Sequence, residues 1–372
     1  MKNMVIKMSL FLMISIFLLF SCDILKQKEY KIGLSINLSG TGGLSGAYIR
    51  DGAMLAVEEI NQKGGINKIP LRLIIEDDKG TKEGALEADK RLIDKGVIAI
   101  IGHSQSDTTL SSYPYVMSKN ILLITAFTAT KKLSYIDDLF FRTSVDTVSY
   151  GNALSNHLKN KKIDSVAFII DFTNQSFGEE FYEETKKKIS IRDKIFTIKS
   201  KDINNLDEIV YEIVKMNPKA VCFLTEVIMT GILSQKLRKL GYKGEFIATI
   251  WAQTNDLLKV GGDAVEGINI ISYIDSQLDN EGYKRFIDNL MKEFPKSSPA
   301  RSMRSYELVY ILADVLKEVK KVNSEEMKRV LLSKKFNTIS GELSFDQFGD
   351  INRPVYLITI EKGRFIRKGQ LF

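Results

Sequence analysis

Short apolar runs alternate with amphipathic segments along this chain of 372 residues, and this alternation limits the possible folds more than any other feature. Within 47–61, for example, Ala53, Val57 and Ile60 recur at helical spacing, with charged residues on the opposite face. Strands that alternate with helices are typical of parallel sheets covered on both faces. The sequence therefore predicts an α/β protein. Its predicted strands are 31–37, 71–76, 97–101, 121–125, 165–170, 220–224 and 246–250.

The strand and helix units fall into two sets, at about 30–145 and 147–272. A stretch of purely helical pattern follows at 281–332, and strand-like segments return at 336–368. At roughly 150 residues per domain, the length also favours two or three domains. We therefore predict two similar α/β lobes, although no repeat at the level of single residues relates the two sets.

The N-terminus has the pattern of an export signal. Two lysines flank a short start, and the apolar run 8–20 is shorter than the roughly 20 residues that a membrane span requires. The tetrapeptide Leu-Phe-Ser-Cys at 19–22 resembles the bacterial lipobox, in which the cysteine is lipidated and becomes the mature N-terminus. We therefore expect a signal peptide at 1–21, lipidation of Cys22, a tether at 22–29 and a periplasmic or extracytoplasmic protein that is lipid-anchored to the membrane. The alternative is an ordinary secretory signal with an incidental cysteine.

Composition disfavours several classes of protein. With two histidines and two cysteines, the chain cannot supply a disulfide scaffold or a site rich in histidine and cysteine, so no metal is expected. The net charge of +7 is spread thinly and lacks a dense basic block, which disfavours nucleic-acid binding. His103 follows a buried strand, and no second histidine or cysteine lies at a spacing typical of a metal site or a catalytic triad, so a structural role is expected. No credible catalytic group emerges, and the protein is not expected to be an enzyme.

A glycine-rich loop at 40–46 follows the first strand, where a dinucleotide site would lie. Ser45 stands where the dinucleotide fingerprint requires its third glycine, and no acidic residue follows in register. We therefore expect no nucleotide and no other cofactor. The glycines still indicate a tight turn at the start of a helix.

The block Ala-Val-Glu-Glu-Ile-Asn at 56–61, with Gly-Gly-Ile at 64–66, carries a family resemblance. Together with the loop from Gly40, it resembles the branched-chain amino-acid-type, or leucine/isoleucine/valine-binding, periplasmic substrate-binding proteins of ABC transporters. The resemblance implies two Rossmann-like lobes with parallel sheets, joined by three hinge strands, and a ligand in the cleft between them. It places the N-terminal lobe at 30–146 plus 275–350 and the C-terminal lobe at 147–274 plus 351–372. A monomer is expected.

Two hydroxyl-rich loops identify one wall of the predicted cleft. Residues 104–109 and 126–130 each follow a predicted strand, and ligands of parallel sheets bind at the carboxyl ends of strands. Hydroxyls and free N–H groups at such places suit a carboxylate. The alternative for any one of these residues is plain helix capping.

The resemblance extends these two loops to individual residues and adds others. Ser106 matches the family's side-chain donor, and Phe127 and Ala129 match the contributors of the second loop, where either Thr128 or Thr130 could supply a hydroxyl. Phe177 and Ser45 stand where relatives carry an aromatic residue, and Glu226 could replace the acid that binds the ligand ammonium. The full set of predicted ligand-binding residues is Ser45, Ser104, Ser106, Phe127, Thr128, Ala129, Phe177, Glu226 and Trp251.

The predicted function is that of a solute-binding lipoprotein of an ABC importer, with an ABC permease as its membrane partner. The expected ligand is a small amino acid or a related carboxylate or amide, and leucine itself is not expected to bind well. The alternative is a sensing receptor that feeds a signalling partner. An extracytoplasmic enzyme is a third possibility, disfavoured because no nucleophile–base pair is evident.

Overall fold

The apolar runs of the first half form a five-stranded parallel sheet. The computed structural model of the chain describes residues 29–199 and 205–372, so the signal segment and Cys22 lie outside the described residues. The strands lie in the order β2-β1-β3-β4-β5. Their bounds are β1 Tyr30–Ile36, β2 Leu71–Asp77, β3 Ala99–Gly102, β4 Leu122–Thr125 and β5 Phe140–Arg142.

The second sheet repeats this strand order. Its parallel part runs β7-β6-β8-β9-β10, and an antiparallel pair, β13 and β14, extends it beyond β10. The bounds are β6 Ser165–Asp171, β7 Arg192–Ile198, β8 Ala220–Leu224, β9 Glu245–Thr249, β10 Asn269–Ser272, β11 Phe336–Thr338, β12 Gly341–Leu343, β13 Tyr356–Glu361 and β14 Arg364–Gln370. The strands β11 and β12 form a separate antiparallel pair. The prediction of two similar lobes with parallel sheets is confirmed.

Helices follow the strands, and their side-chain patterns place them against the sheets. The bounds are α1 Gly43–Gln62, α2 Lys82–Asp94, α3 Ser106–Ser118, α4 Thr147–Asn160, α5 Gln175–Lys186, α6 Leu206–Met216, α7 Val227–Lys239, α8 Asn255–Gly261, α9 Glu281–Glu293, α10 Pro299–Glu318 and α11 Ser324–Ser333. None of the helices in the described part of the chain is both long and apolar enough to cross a membrane.

The helices α1 and α10 pack unusually closely. A Cβ atom on Gly52 would lie 1.9 Å from the carbonyl oxygen of Ser302, so this contact requires glycine. The Ser302 hydroxyl donates to the Tyr48 carbonyl oxygen at 2.8 Å, and the Ser305 hydroxyl donates to that of Ile49 at 2.6 Å. These contacts fix the N-terminal turns of α10 at the edge of the first lobe that faces the second.

Three connections cross between the lobes, at 143–146, 273–280 and 350–355. None of the described residues of these three segments belongs to the five-stranded or the seven-stranded sheet. Arg142, at the start of the first crossing, is buried and pairs with Asp350 of the third crossing, with 2.9 Å between Arg142 Nη2 and Asp350 Oδ2. Arg142 also donates to the Thr130 carbonyl oxygen at 2.8 Å. This buried arginine therefore joins two of the three crossings.

Candidate functional site

A small cavity, of about 20 Å³ in this structure, lies between the two lobes, at the carboxyl ends of strands from both sheets. Both lobes and the first crossing contribute to it. Its lining residues are Ser104, Phe127, Ala129, Ser144, Tyr150, Asn174, Phe177, Ile250, Trp251, Arg301 and Arg304. In open α/β sheets this is where ligands bind. The cavity is therefore the candidate functional site.

The two predicted hydroxyl-rich loops do meet here, but they spend part of their polar groups on each other. The Ser106 hydroxyl accepts a hydrogen bond from the Ala129 N–H at 3.2 Å. Thr128 Oγ1 lies 2.6 Å from Thr109 Oγ1, and the two hydroxyls share a hydrogen bond. Ser106 and Thr128 are fully buried, and neither lines the cavity. Ser104, Phe127 and Ala129 are the predicted members of these loops that line the cavity, and Ser106 and Thr128 hold the loops together.

A buried ionic cluster around His103 lies directly before the first of these loops in the chain. His103 Nδ1 lies 3.0 Å from Asp78 Oδ2, and His103 Nε2 lies 3.0 Å from Asp89 Oδ2 and 2.8 Å from the Ser112 hydroxyl. Burial alone would lower the pKa of His103, but the charges and hydrogen bonds of Asp89 and Asp78 outweigh it and raise the pKa to about 10. The imidazolium ion therefore lies between two carboxylates, which agrees with the structural role expected for this residue.

Aromatic side chains form the wall that the second lobe contributes. The rings of Tyr150 and Phe177 meet edge to face with 5.9 Å between centroids, and Phe177 meets Trp251 in the same way at 6.2 Å. Trp251 is held by a short 3₁₀ helix, Ile250–Ala252, directly after β9. Phe177 lies in the first turn of α5. Both residues line the cavity.

Two predicted ligand contacts lie elsewhere. Ser45 is in the first turn of α1, where its N–H donates to the Gly42 carbonyl oxygen at 2.9 Å, and it does not line the cavity. Glu226 is the N-cap of α7, and its carboxylate accepts from the N–H groups of Ile228 at 2.9 Å and Met229 at 2.7 Å. Burial raises the pKa of Glu226, and these two N–H groups oppose that effect. In this structure Glu226 caps a helix and does not line the cavity.

The sequence analysis missed two arginines that line the cavity. Arg301 and Arg304 lie in the first two turns of α10 and are 4% and 3% exposed. Arg301 Nη2 donates to the Trp251 carbonyl oxygen at 2.6 Å. The Arg304 guanidinium lies 4.2 Å from the centre of the Phe127 ring and 5.0 Å from that of Tyr273. Arg304 therefore stacks between two rings, and Arg301 reaches across the cleft to the second lobe.

Both guanidinium groups lack an acidic partner among the residues that the structure describes. No carboxylate lies within 4.0 Å of either, and the Nε atoms of Arg301 and Arg304 are buried without a hydrogen-bond partner. Burial, with Arg304 as a nearby like charge, lowers the pKa of Arg301 to about 9. A sequence signal for these residues did exist. The apolar residues of α10 recur every three or four positions and define its buried face. Extended toward the N-terminus, the same spacing places two arginines on that face; the series is Val315, Leu312, Leu308, Arg304 and Arg301.

Direct hydrogen bonds also join the two lobes. The Tyr48 hydroxyl donates to Asp256 Oδ2 at 2.7 Å, from α1 of the first lobe to α8 of the second. Asn174 Oδ1 accepts from the Ser106 N–H at 3.0 Å, and Asp107 Oδ1 accepts from the Ser176 N–H at 3.2 Å. The structure is therefore a closed arrangement of the two lobes. Within residues 29–199 and 205–372, no cluster of histidine, cysteine and acidic residues could hold a metal ion.

Known proteins match this chain over most of its length. Residues 29–364 match the periplasmic binding protein family. A Leu/Ile/Val-binding protein homolog of Brucella abortus is 29% identical over 348 residues, which cover 89% of this chain and 90% of that protein. A solved leucine-binding protein of Thermotoga maritima has a TM-score of 0.82 at 21% identity, covering 92% of this chain and 98% of that one. A solved ABC transporter solute-binding protein of R. palustris, in complex with benzoate, has a TM-score of 0.84 at 18% identity, covering 92% and 96%.

These matches confirm the family resemblance and the two-lobe α/β fold predicted from the sequence. The family is a class of substrate-binding proteins and not a class of enzymes. The chain belongs to the periplasmic binding protein family.

Proposed function

We propose that this protein is an extracytoplasmic solute-binding lipoprotein that captures a small organic carboxylate between its lobes and delivers it to an ABC permease. The observation that carries the proposal is a closed interlobe cavity whose walls hold two buried arginines without an acidic partner in the described chain. Guanidinium groups bind carboxylates through paired, charge-assisted hydrogen bonds. A carboxylate ligand would supply the acceptors that the cavity lacks.

The proposed ligand contacts come from both lobes. Ser104 offers a neutral hydroxyl donor after the carboxyl end of β3, and Arg301 and Arg304 offer charged donors. Phe127, Phe177 and Trp251 would cover the apolar part of the ligand. A cavity with aromatic walls and a few convergent polar groups is typical of a small-molecule site.

The relatives support the transport role. By their names or titles, one is a homolog of a Leu/Ile/Val-binding protein, one binds leucine, and one is an ABC transporter solute-binding protein in complex with benzoate. Amino acids and an aromatic acid are therefore both ligands of proteins with this fold, so the residues of the cavity decide between them.

Membrane anchoring by Cys22 is part of the proposal, on the evidence of the lipobox pattern. The Cys22→Ser variant should leave the membrane fraction or retain its signal peptide, because the lipid attaches to that thiol. Fractionation followed by intact-mass measurement tests this, with Cys222→Ser as the matched control, since Cys222 is a buried thiol in β8. Normal processing and full membrane retention of Cys22→Ser would contradict lipidation.

The experiment that tests ligand capture is mass spectrometry of small molecules released when the purified protein is denatured. We expect an organic acid at near-stoichiometric yield, because closed lobes release a ligand slowly. Titration calorimetry with the identified compound should then give one site per chain. If neither a co-purified compound nor any tested organic acid or amino acid binds, the solute-binding proposal is wrong.

A further inference from the structure

We propose that the ligand of this cavity carries two acidic groups and no ammonium group, and that Arg301 and Arg304 select it for this charge. This inference rests on the proposed function, because it concerns the solute bound between the lobes. It goes further because it names the ligand class, a small di-acid, and separates it from the amino acids that are named as ligands of relatives.

The first support is the charge that the closed structure leaves unpaired. An arginine remains protonated in proteins, so Arg301 and Arg304 bring two positive charges into a nearly dry site. Leaving a buried charge without a counter-ion is strongly destabilising. Two carboxylates on the ligand would give each guanidinium a counter-ion, whereas a single carboxylate would leave one charge uncompensated.

The surrounding elements add positive charge and little negative charge. Both arginines lie near the N-terminus of α10, the positive end of the helix dipole, and residues 299–302 of its first turn include no acid. The charge of Arg353 also acts on Arg304. Glu226 is the carboxylate whose charge acts on Arg301, but its two oxygens accept from N–H groups of its own helix. Glu307, a buried residue of α10, lies 3.9 Å from Arg353 and accepts from the Ser340 N–H.

The second support is the absence of a partner for an ammonium group. None of the described residues that line the cavity is acidic, and Glu226, the predicted replacement, does not reach it. The ammonium group of an amino acid would therefore lie near two guanidinium groups without a carboxylate to bind. Like charges in a site of low dielectric repel strongly, so the cavity discriminates against amino acids.

The third support is that the donors form two different sets. The Ser104 hydroxyl provides a neutral donor from the first sheet, whereas the Ala129 N–H is already donated to Ser106, and the arginines provide charged donors from α10. The rings of Phe127, Phe177 and Trp251 also line the cavity. Two donor sets with apolar walls suit a ligand with two acidic groups joined by a short apolar spacer.

Titration calorimetry on the full mature protein, stripped of co-purified compounds by unfolding and refolding, tests the inference with a charge series on one skeleton. The probes are norvaline, pentanoate and glutarate, which share a five-carbon chain, and the aromatic pair benzoate and terephthalate. We expect each di-acid to bind at least tenfold tighter than its mono-acid, which is about 1.4 kcal/mol, with norvaline weakest. Equal or tighter binding of the mono-acid or of norvaline would overturn the inference and leave the solute-binding proposal standing.

The Arg304→Met variant separates selection from a structural role. It should bring the affinity ratio between di-acid and mono-acid close to one, because it removes one of the two counter-charges. It should also raise the melting temperature of the ligand-free protein, because it removes a buried unpaired charge. A structural arginine would give the opposite shift in melting temperature. Arg304→Lys, which keeps the charge, should retain most of the preference and serves as a second variant if Arg304→Met does not fold.

The matched control is Arg238→Met. Arg238 lies in α7, donates to the carbonyl oxygens of Tyr242 and Gly244, and does not line the cavity. This variant should keep the wild-type ratio between di-acid and mono-acid. If none of the five probes binds, the released ligand decides: a compound with two acidic groups and no amine supports the inference, and any other compound overturns it. If nothing binds and nothing is released, both proposals fail.

Discussion

Replacing His103 with glutamine should remove a pH dependence of stability that the wild-type protein shows between about pH 7 and pH 9.5. Asp89 and Asp78 raise the pKa of His103 from its ordinary value of 6.5 to about 10 in the folded protein. Below pH 6.5 both the folded and the unfolded chain carry the proton, and the full stabilisation is present. Between 6.5 and 10 the folded chain alone holds it, so the stabilisation is lost progressively as the pH rises.

The magnitude follows from the proton count. Where the folded state holds one proton more than the unfolded state, the free energy of unfolding falls by about 1.4 kcal/mol for each unit by which the pH rises. From pH 7 to pH 9.5 the wild type should therefore lose about 3 kcal/mol more than His103→Gln. Urea denaturation, followed by tryptophan fluorescence at half-unit pH steps, measures this difference. Other groups that titrate in the range cancel in the comparison.

The control is Ser112→Ala, which removes a neutral hydrogen bond to His103 Nε2 and leaves both carboxylates in place. It should lower the free energy of unfolding by a nearly constant amount and keep the wild-type slope. Parallel curves for wild type and His103→Gln across the whole range would refute the reasoning, because they would show that the folded protein does not hold the extra proton.

Three further predictions concern closure and capping. Tyr48→Phe removes a bond to Asp256 that joins the closed lobes without contacting the cavity, so calorimetry should show ligand affinity about three- to tenfold weaker, and unchanged affinity would contradict this. Glu226→Gln should lower the free energy of unfolding by about 1 kcal/mol through loss of a helix cap, and a changed ligand ranking would instead place Glu226 in the site. Small-angle scattering should show a smaller radius of gyration with ligand than without, and equal radii would count against closure.

The strands and the two-lobe arrangement could be predicted because their signal is local. All residues of β6 and β8 are buried, and strands buried on both faces read as continuous apolar runs. The alternation with amphipathic segments then leaves a parallel sheet as the arrangement that buries both. No sequence pattern predicted the contacts that hold the crossings together, because the Arg142–Asp350 pair joins positions more than two hundred residues apart.

Part of the candidate site could also be predicted. The predicted residues that line the cavity follow strand ends, which converge on one edge of a parallel sheet; they are Ser104, Phe127, Ala129, Phe177 and Trp251. The hydroxyl of Ser106 was as plausible a ligand contact by sequence, but in the fold it accepts from a neighbouring loop. A pattern of polar residues does not show which of them other parts of the chain will satisfy.

The sequence by itself determined the class of the fold, the pairing of strands into two lobes and the place of the cleft, because these follow from apolar periodicity and from the polarity of strand ends. Only the tertiary structure decided which polar groups the cleft presents. Glu226 is satisfied by its own helix, whereas Arg301 and Arg304 are carried into the cleft by a helix that follows the last parallel strand in the chain. Whether a buried charge has a partner depends on residues distant in sequence, so the charge of the site emerges only when the two lobes and α10 come together.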